Sequence, residues 1–93
     1  MKNLLKRIAG WFIRGDANRD GRIDIADVIS SLLHQFKSQP IKCQKAADID
    51  DNGTISLSDA IRLLQFIYGQ AQAPARPYPD PGVDPTNDEL RCE

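Results

Sequence analysis

The sequence has few of the residue types on which most active sites and large cores depend. Its 93 residues include one His, two Cys, one Met and one Trp, and the formal net charge is −1. This balance provides neither a basic field for nucleic acid nor an acidic excess that would favour disorder. A chain of this length has room for one small core, and such domains normally need metals or disulfides to be stable.

Signals of catalysis are also missing. The sequence contains no CxxC pair and no glycine-rich phosphate loop, and no nucleophile lies beside a base. The single histidine, His34, falls among polar residues at the edge of an apolar stripe, so we interpret it as a surface residue rather than a metal ligand. We therefore expect no catalytic residues and no enzymatic activity.

The most informative stretch is residues 16–27, called loop 1 here, in which oxygen-bearing side chains alternate until a glycine interrupts them. Ca²⁺ prefers roughly six to eight hard oxygen ligands, and a calcium loop supplies them from positions 1, 3, 5, 7, 9 and 12 with a glycine at position 6. Gly21 takes that sharp turn, and Ile23 is expected to pack inward beneath the ion. The predicted ligands are Asp16, Asn18, Asp20, the carbonyl of Arg22, Asp24 and Asp27.

The pattern recurs 32 residues later in residues 48–59, called loop 2 here. Its predicted ligands are Asp48, Asp50, Asn52, the carbonyl of Thr54, Ser56 and Asp59, with Gly53 at the turn. One such loop could be a chance acidic turn. Two loops in the same register, each leading into an apolar-periodic helix, argue against chance and predict two bound Ca²⁺ ions.

Apolar periodicity predicts a helix after each loop. The first helix has one continuous apolar face, capped at its start by Asp24, and the second ends near Gly69. Pro40 limits the segment between them, residues 37–47, to a crossover with at most a single helical turn. We expect the two apolar faces to bury each other. The face residues are Ile25, Val28, Ile29, Leu32, Leu33 and Phe36, then Leu57, Ala60, Ile61, Leu64, Ile67 and Tyr68.

These residues resemble the type I dockerin family, strongly over residues 12–69. The matching motifs are Gly-Asp-Ala-Asn-Arg-Asp-Gly at 15–21 and Ala-Asp-Ile-Asp-Asp-Asn-Gly at 47–53, each followed by Asp at loop position 12. An ordinary EF-hand has Glu at that position and an entering helix before each loop, for which loop 2 has no room. The resemblance implies an all-α fold, a duplicated calcium loop–helix (F-hand) pair with pseudo-two-fold symmetry. It also implies docking onto a cohesin module of a secreted scaffold, outside the cell or at its surface.

The resemblance further implies which residues meet the partner. In dockerins the exiting helices carry the contact surface, and loop positions 10 and 11 influence partner choice. Ile25 and Leu57 also fit the internal apolar stripe, so their assignment to interface or core stays open. The implied contact residues are Ile25, Ala26, Leu32, Leu33, Lys37, Leu57, Ser58, Leu64, Gln65 and Gly69.

The last segment, residues 72–93, is called the tail here. Taken alone, its prolines indicate a disordered spacer. The resemblance extends to a dockerin subgroup whose Pro-rich tail ends in Cys, and it implies a Cys43–Cys92 disulfide that closes a loop of about 50 residues and contributes roughly 4 kcal/mol. Two free thiols in a reducing cell are the alternative. Thr86 to Glu89 has capping-box spacing for a last helical turn, and Tyr78 and Val83 are candidates to pack on the helices.

The expected organisation is an N-terminal amphipathic helix or linker at 1–13, a dockerin-like domain at 14–71 and the tail packed back on it. The repeats within the domain are 16–37 and 48–69. Residues 2–13 combine an apolar stripe with Lys and Arg, which fits a helix covering the domain, a membrane-surface helix or the remnant of a signal or expression segment. Their apolar run is too short and too interrupted for a secretory signal or a membrane span.

Two functional hypotheses follow. The first is a calcium-dependent docking module with a cohesin-type partner, monomeric when free and without nucleic-acid binding. The second is a calcium-stabilised structural or self-associating extracellular module, which either serves as a spacer or carries residues 2–13 to a membrane surface. An intracellular calcium sensor fits less well, because Asp at position 12 and a single Met do not suit a Met-rich groove that opens.

Overall fold

The computed structural model describes residues 11–69 and 71–92, and most of the predicted N-terminal helix lies outside them. The described part is helical, with α1 at Ile25–Lys37, α2 at Gln44–Ala47 and α3 at Leu57–Ile67. Its β-type pairing consists of two isolated bridges without a named strand. The predicted helical class, both long helices and the single turn in the crossover are therefore confirmed.

Local capping sets the ends of the long helices. Asp24 lies in an extended conformation and its carboxylate accepts the N–H of Ala26 at 3.0 Å, which confirms the predicted cap of α1. Helix α1 is capped at its C-terminal end by Ser38, which has a left-handed φ of 53°. Tyr68 is the C-cap of α3, and Gly69 follows with a φ of +78°, the conformation typical of a residue just beyond a helix.

The main core lies where α1 and α3 cross over loop 2. Val28 of α1 packs with Ala60 and Leu63 of α3 and with Ile49, the second residue of loop 2. Ile23, at position 8 of loop 1, packs against this core as predicted. A second cluster joins Phe12, Cys43 and Ala46, and it lies where the tail returns. Both loops are thereby attached directly to buried apolar groups.

The helices do not bury their whole apolar faces, so that expectation is wrong. Two short helices cover only the strip along their line of contact, and these apolar stripes are wider than that strip. Leu32 and Leu64 are half-buried and pack on the core. Large apolar side chains remain exposed at Ile25, Ile29, Leu33 and Phe36 on α1 and at Leu57, Ile61 and Tyr68 on or just after α3.

The tail packs back onto the start of the described chain. Phe12 and Gly82 exchange two backbone hydrogen bonds of 2.9 and 3.1 Å, and the predicted disulfide between Cys43 and Cys92 is confirmed. Tyr78 packs edge-on against Phe66 of α3, with ring centroids 5.5 Å apart, as expected.

Two expectations for the tail are wrong. Val83 is exposed, because the tail presents Tyr78 rather than Val83 to the helices. Thr86 does not start a helix; instead its hydroxyl donates to Asp51 at 2.6 Å, which draws this part of the tail across loop 2.

Within residues 11–69 and 71–92, the helices lack the length and the apolar character of a membrane span.

Candidate functional site

Loop 1 is wound around the carboxylate of Asp16. Its two oxygens accept the N–H of Asp20 at 3.2 Å and the N–H of Gly21 at 2.9 Å. Gly21 has a φ of +87°, a conformation that glycine adopts without strain, so position 6 turns as predicted. From the first turn of α1, Asp27 reaches back and accepts the N–H of Asn18 at 3.2 Å and that of Asp24 at 2.9 Å.

Loop 2 repeats this arrangement. Asp48 accepts the N–H of Asn52 at 3.2 Å and that of Gly53 at 2.8 Å, and Gly53 has a φ of +89°. Asp59, in the first turn of α3, accepts from Ile49 at 3.0 Å and from Ser56 at 2.9 Å. The residue at position 4 has a left-handed φ in both loops, 57° at Arg19 and 58° at Asp51. The duplication seen in the sequence is therefore a duplication of backbone geometry.

Each loop brings three carboxylates together. One oxygen from each member of the group lies within 4.8 Å of the others. The two groups are Asp16, Asp20 and Asp27 in loop 1 and Asp48, Asp50 and Asp59 in loop 2. In both groups the first and last carboxylates are buried and the middle one is exposed, so a ligand would approach from one side.

Burial makes these carboxylates costly to ionise. It raises the pKa of Asp16 and of Asp48 to about 6 and the pKa of Asp27 to about 7, and it is also the main cause of the raised pKa of Asp59. Exposed Asp20 shows the opposite shift, because the N–H of Arg22 donates to it and lowers its pKa. Buried carboxylates are stable in a fold when they are neutral or when positive charge lies beside them.

The donor set fits a hard divalent cation. It consists of oxygens only, and within the described ranges no Lys or Arg forms an ion pair with Asp48, Asp50 or Asp59. Zn²⁺ sites usually contain His or Cys, whereas carboxylate and carbonyl oxygens suit Ca²⁺ and Mg²⁺. Both groups of Asp residues could therefore hold a metal ion.

The remaining predicted ligands lie on the same two loops. Asn18 is half-buried, and its side-chain oxygen accepts the N–H of Asp20 at 3.2 Å. The side chains of Arg22 and Thr54 are exposed; the predicted ligand of each residue is its carbonyl, which stays a prediction. Ser56 lies beside Asp59, with 3.4 Å between its hydroxyl and the carboxylate. Asp24 caps α1, so a direct bond to an ion would compete with that cap.

The predicted partner-contact residues divide into two groups. The first group is exposed and consists of Ile25, Leu33, Lys37, Leu57, Ser58 and Gln65. The second group is half-buried and consists of Ala26, Leu32 and Leu64. Sequence reasoning left out Ile29, Phe36 and Ile61, which are exposed on the same helices. The available signal was the width of each apolar stripe, which exceeds what one short partner helix can cover.

Sequence reasoning also missed Arg14. Its guanidinium is fully buried and donates to the carbonyls of Asp48 at 2.8 Å and Arg76 at 2.8 Å, so it joins the entry to loop 1, loop 2 and the tail. It also pairs with Asp84 at 3.3 Å. In the sequence it is one of several basic residues near the start, and nothing local distinguishes it from a solvated one.

Comparison with known proteins shows that the chain is similar to a part of a larger protein. A multidomain esterase of Ruminococcus flavefaciens is 38% identical over 61 residues, which cover 62% of this chain and 8% of the relative. This chain thus corresponds to a small part of that protein's length. No protein-family model and no solved structure matches the chain.

Proposed function

We propose that this chain is a calcium-dependent docking module of the dockerin type, which binds a cohesin-type partner through the outer faces of α1 and α3. The observation that carries the proposal is the duplicated unit. Each unit combines a group of three carboxylates with a helix that begins at position 10 of the loop and presents an apolar outer face.

Calcium has a structural role in this proposal. Asp27 and Asp59 belong both to a carboxylate group and to the first turn of a helix, so an ion held there fixes the direction of the helix relative to its loop. Without the ion, three carboxylates within 4.8 Å repel one another. Folding of the module and ion binding are then coupled, and docking depends on calcium through the placement of the helices.

The proposed docking face consists of the exposed apolar side chains on the two helices. Phe36 is 68% exposed and Ile29 is 50% exposed. Single exposed apolar residues are ordinary on a protein surface, but several of them on two helices that pack together are typical of an interaction site. Lys37 lies at the end of the α1 stripe and adds a positive charge to its edge. We expect a partner with an apolar patch of matching length, with acidic groups facing Lys37.

The similarity to part of a multidomain esterase supports a module that attaches to other domains. The Cys43–Cys92 disulfide supports an extracellular location, because structural disulfides persist mainly in oxidising compartments. We propose no catalytic role for this chain, since the clustered carboxylates are used for ion binding.

The test is a direct binding measurement against a panel of purified cohesin modules, in millimolar calcium and in chelator. Ile29→Asp and Ile61→Asp place a charge on the docking face of α1 and of α3. Val83→Asp is the matched control, because Val83 is also a large exposed apolar residue, at 60% exposure against 50% for Ile29 and 47% for Ile61, but it lies on the tail. We expect calcium-dependent binding that weakens tenfold or more in one or both face variants and is unchanged in the control; tenfold corresponds to about 1.4 kcal/mol.

Three results would contradict the proposal. One is the absence of binding to any cohesin in calcium, and another is binding that chelator leaves unchanged. The third is a calcium-dependent dimer in sedimentation velocity that the face variants dissociate, together with no cohesin binding. That result would favour the self-associating structural module.

A further inference from the structure

A third group of carboxylates lies on the side of loop 2 that faces the tail. Oxygens of Asp48, Asp51 and Asp88 lie within 4.8 Å of one another. Asp48 also belongs to the loop 2 group, whereas Asp51 occupies position 4, which supplies no ligand in a calcium loop. Asp88 comes from the tail, and its Cβ lies 3.7 Å from the position that a Cβ on Gly53 would occupy. The group therefore joins the tail to loop 2.

These three carboxylates are withdrawn from solvent. Asp48 is fully buried, and the side chains of Asp51 and Asp88 are only 9% and 7% exposed. One oxygen of Asp88, Oδ1, accepts from Lys45 at 2.9 Å. The other oxygen, Oδ2, is buried without a hydrogen-bond donor among the described residues. A buried oxygen of this kind is costly unless positive charge or a donor lies next to it.

The nearby cations do not balance the acids. Arg14 lies 3.5 Å from Asp51 and 3.3 Å from Asp84, and Lys45 lies 2.8 Å from Asp84 and 2.9 Å from Asp88. The two carboxylate groups and their ion-pair neighbour Asp84 contain six carboxylates, those of Asp48, Asp50, Asp51, Asp59, Asp84 and Asp88. When all six are ionised, Arg14 and Lys45 offset two of the negative charges, and the remaining four match two divalent cations, one for the loop 2 group and one more.

We infer that Asp48, Asp51 and Asp88 hold an additional divalent cation of the calcium type, which fastens the tail to loop 2. Three carboxylates from two separate segments of the chain suit Ca²⁺ better than Mg²⁺, since Mg²⁺ demands near-ideal octahedral geometry. The inference goes beyond the proposed function, because the site requires no docking partner and shares only Asp48 with the loop 2 group of carboxylates. Asp48 would serve both ions, since it belongs to both groups of carboxylates.

The test counts calcium ions on the intact, disulfide-bonded chain by equilibrium dialysis at saturating calcium. Asp88→Asn and Asp51→Asn each replace one carboxylate of the new site with a neutral amide and change no predicted loop ligand. Asp84→Asn is the matched control, because it also removes an ion pair with Lys45 but leaves the three carboxylates in place. We expect the wild type and Asp84→Asn to hold one ion more than Asp88→Asn and Asp51→Asn.

An Asp88→Asn variant that holds as many ions as the wild type would overturn the inference. Loss of one bound calcium ion in Asp84→Asn as well as in Asp88→Asn would also overturn it, because the loss would then result from breaking an ion pair with Lys45. If Asp88→Asn and Asp51→Asn lose their helical circular dichroism, the wild-type count decides: three ions support the site, and two or fewer do not. Calcium counts on Asp20→Asn and Asp50→Asn report separately on loop 1 and loop 2. If the proposed function fails because the loops bind no calcium, these two variants hold as many ions as the wild type.

Discussion

The buried guanidinium of Arg14 donates from Nη2 to Oδ1 of Asp84 at 3.3 Å, which joins the residue two positions before loop 1 to the tail. The same side chain donates to the carbonyl of Lys45 just before loop 2, to that of Asp48 at its first position, and to those of Ala75 and Arg76 in the tail. One residue therefore satisfies acceptors from two segments that are distant from it in sequence, the start of loop 2 and the tail.

Replacing Arg14 with Gln should strongly destabilise the protein. The change leaves Asp84 with one cationic partner and several buried carbonyls without a donor, and breaking a buried ion pair typically costs about 3–5 kcal/mol. Urea unfolding in saturating calcium measures the loss. Arg22→Gln removes the same charge from an exposed position and should stay close to wild type. If Arg14→Gln lowers the free energy of unfolding by no more than Arg22→Gln does, the stabilising role of Arg14 is contradicted.

Removing the disulfide should lower stability without abolishing the loops. Cys43 and Cys92 are 49 residues apart, and closing a loop of that length contributes on the order of 4 kcal/mol in the chain-entropy model. The double variant Cys43→Ala, Cys92→Ala should melt well below the wild type in calorimetry with calcium present. Reductant should lower the melting temperature of the wild type and leave the double variant unchanged. A wild type that melts at the same temperature with and without reductant would contradict the prediction.

The parts of this fold that could be predicted from sequence are those set by local and periodic signals. Alternating oxygens and a glycine at position 6 identified the two loops, and the spacing of apolar residues located α1 and α3 to within a residue or so. These features depend on neighbours within a few positions. The sequence pattern alone was therefore sufficient for them.

The parts that could not be predicted depend on partners far away in sequence. The burial of Arg14 requires carbonyls from Lys45, Asp48 and the tail, and the role of Thr86 requires Asp51. The exposure of Ile29 and Phe36 depends on how much of α1 the short α3 can cover. The width of the α1 stripe indicates that some of its apolar residues stay exposed, but the periodicity does not identify which ones.

Asp27→Asn and Asp59→Asn should each abolish calcium binding at one loop. Each substitution keeps one side-chain oxygen but places an NH₂ group where a carboxylate oxygen now accepts a backbone N–H, so both the charge and the local hydrogen bonding change. Calorimetric titration with calcium should show the loss of one binding event in each variant. Asp80→Asn, an exposed change in the tail, is the control. Unchanged calcium stoichiometry in both loop variants would contradict the assignment of position 12.

The stability of the calcium-free protein should rise as the pH falls from about 8 to about 5. Asp16, Asp27 and Asp48 have folded-state pKa values of about 6 to 7, above the usual value of 3.8, so the folded state binds protons that the unfolded state does not. Linkage then stabilises the folded state as the pH falls through those values. Asp84 does not contribute in this range, because hydrogen bonds, chiefly from Lys45, outweigh burial and hold its pKa far below normal.

Calcium should reverse this dependence, because protons and the cation compete for the same carboxylates. Thermal unfolding of calcium-stripped protein, followed by circular dichroism, should give a melting temperature several degrees higher near pH 5 than near pH 8. A domain of this size shifts by roughly 4–8 °C per kcal/mol. With calcium just saturating at pH 8, acidification should lower the melting temperature instead. The same slope with and without calcium would show that these carboxylates do not bind the ion.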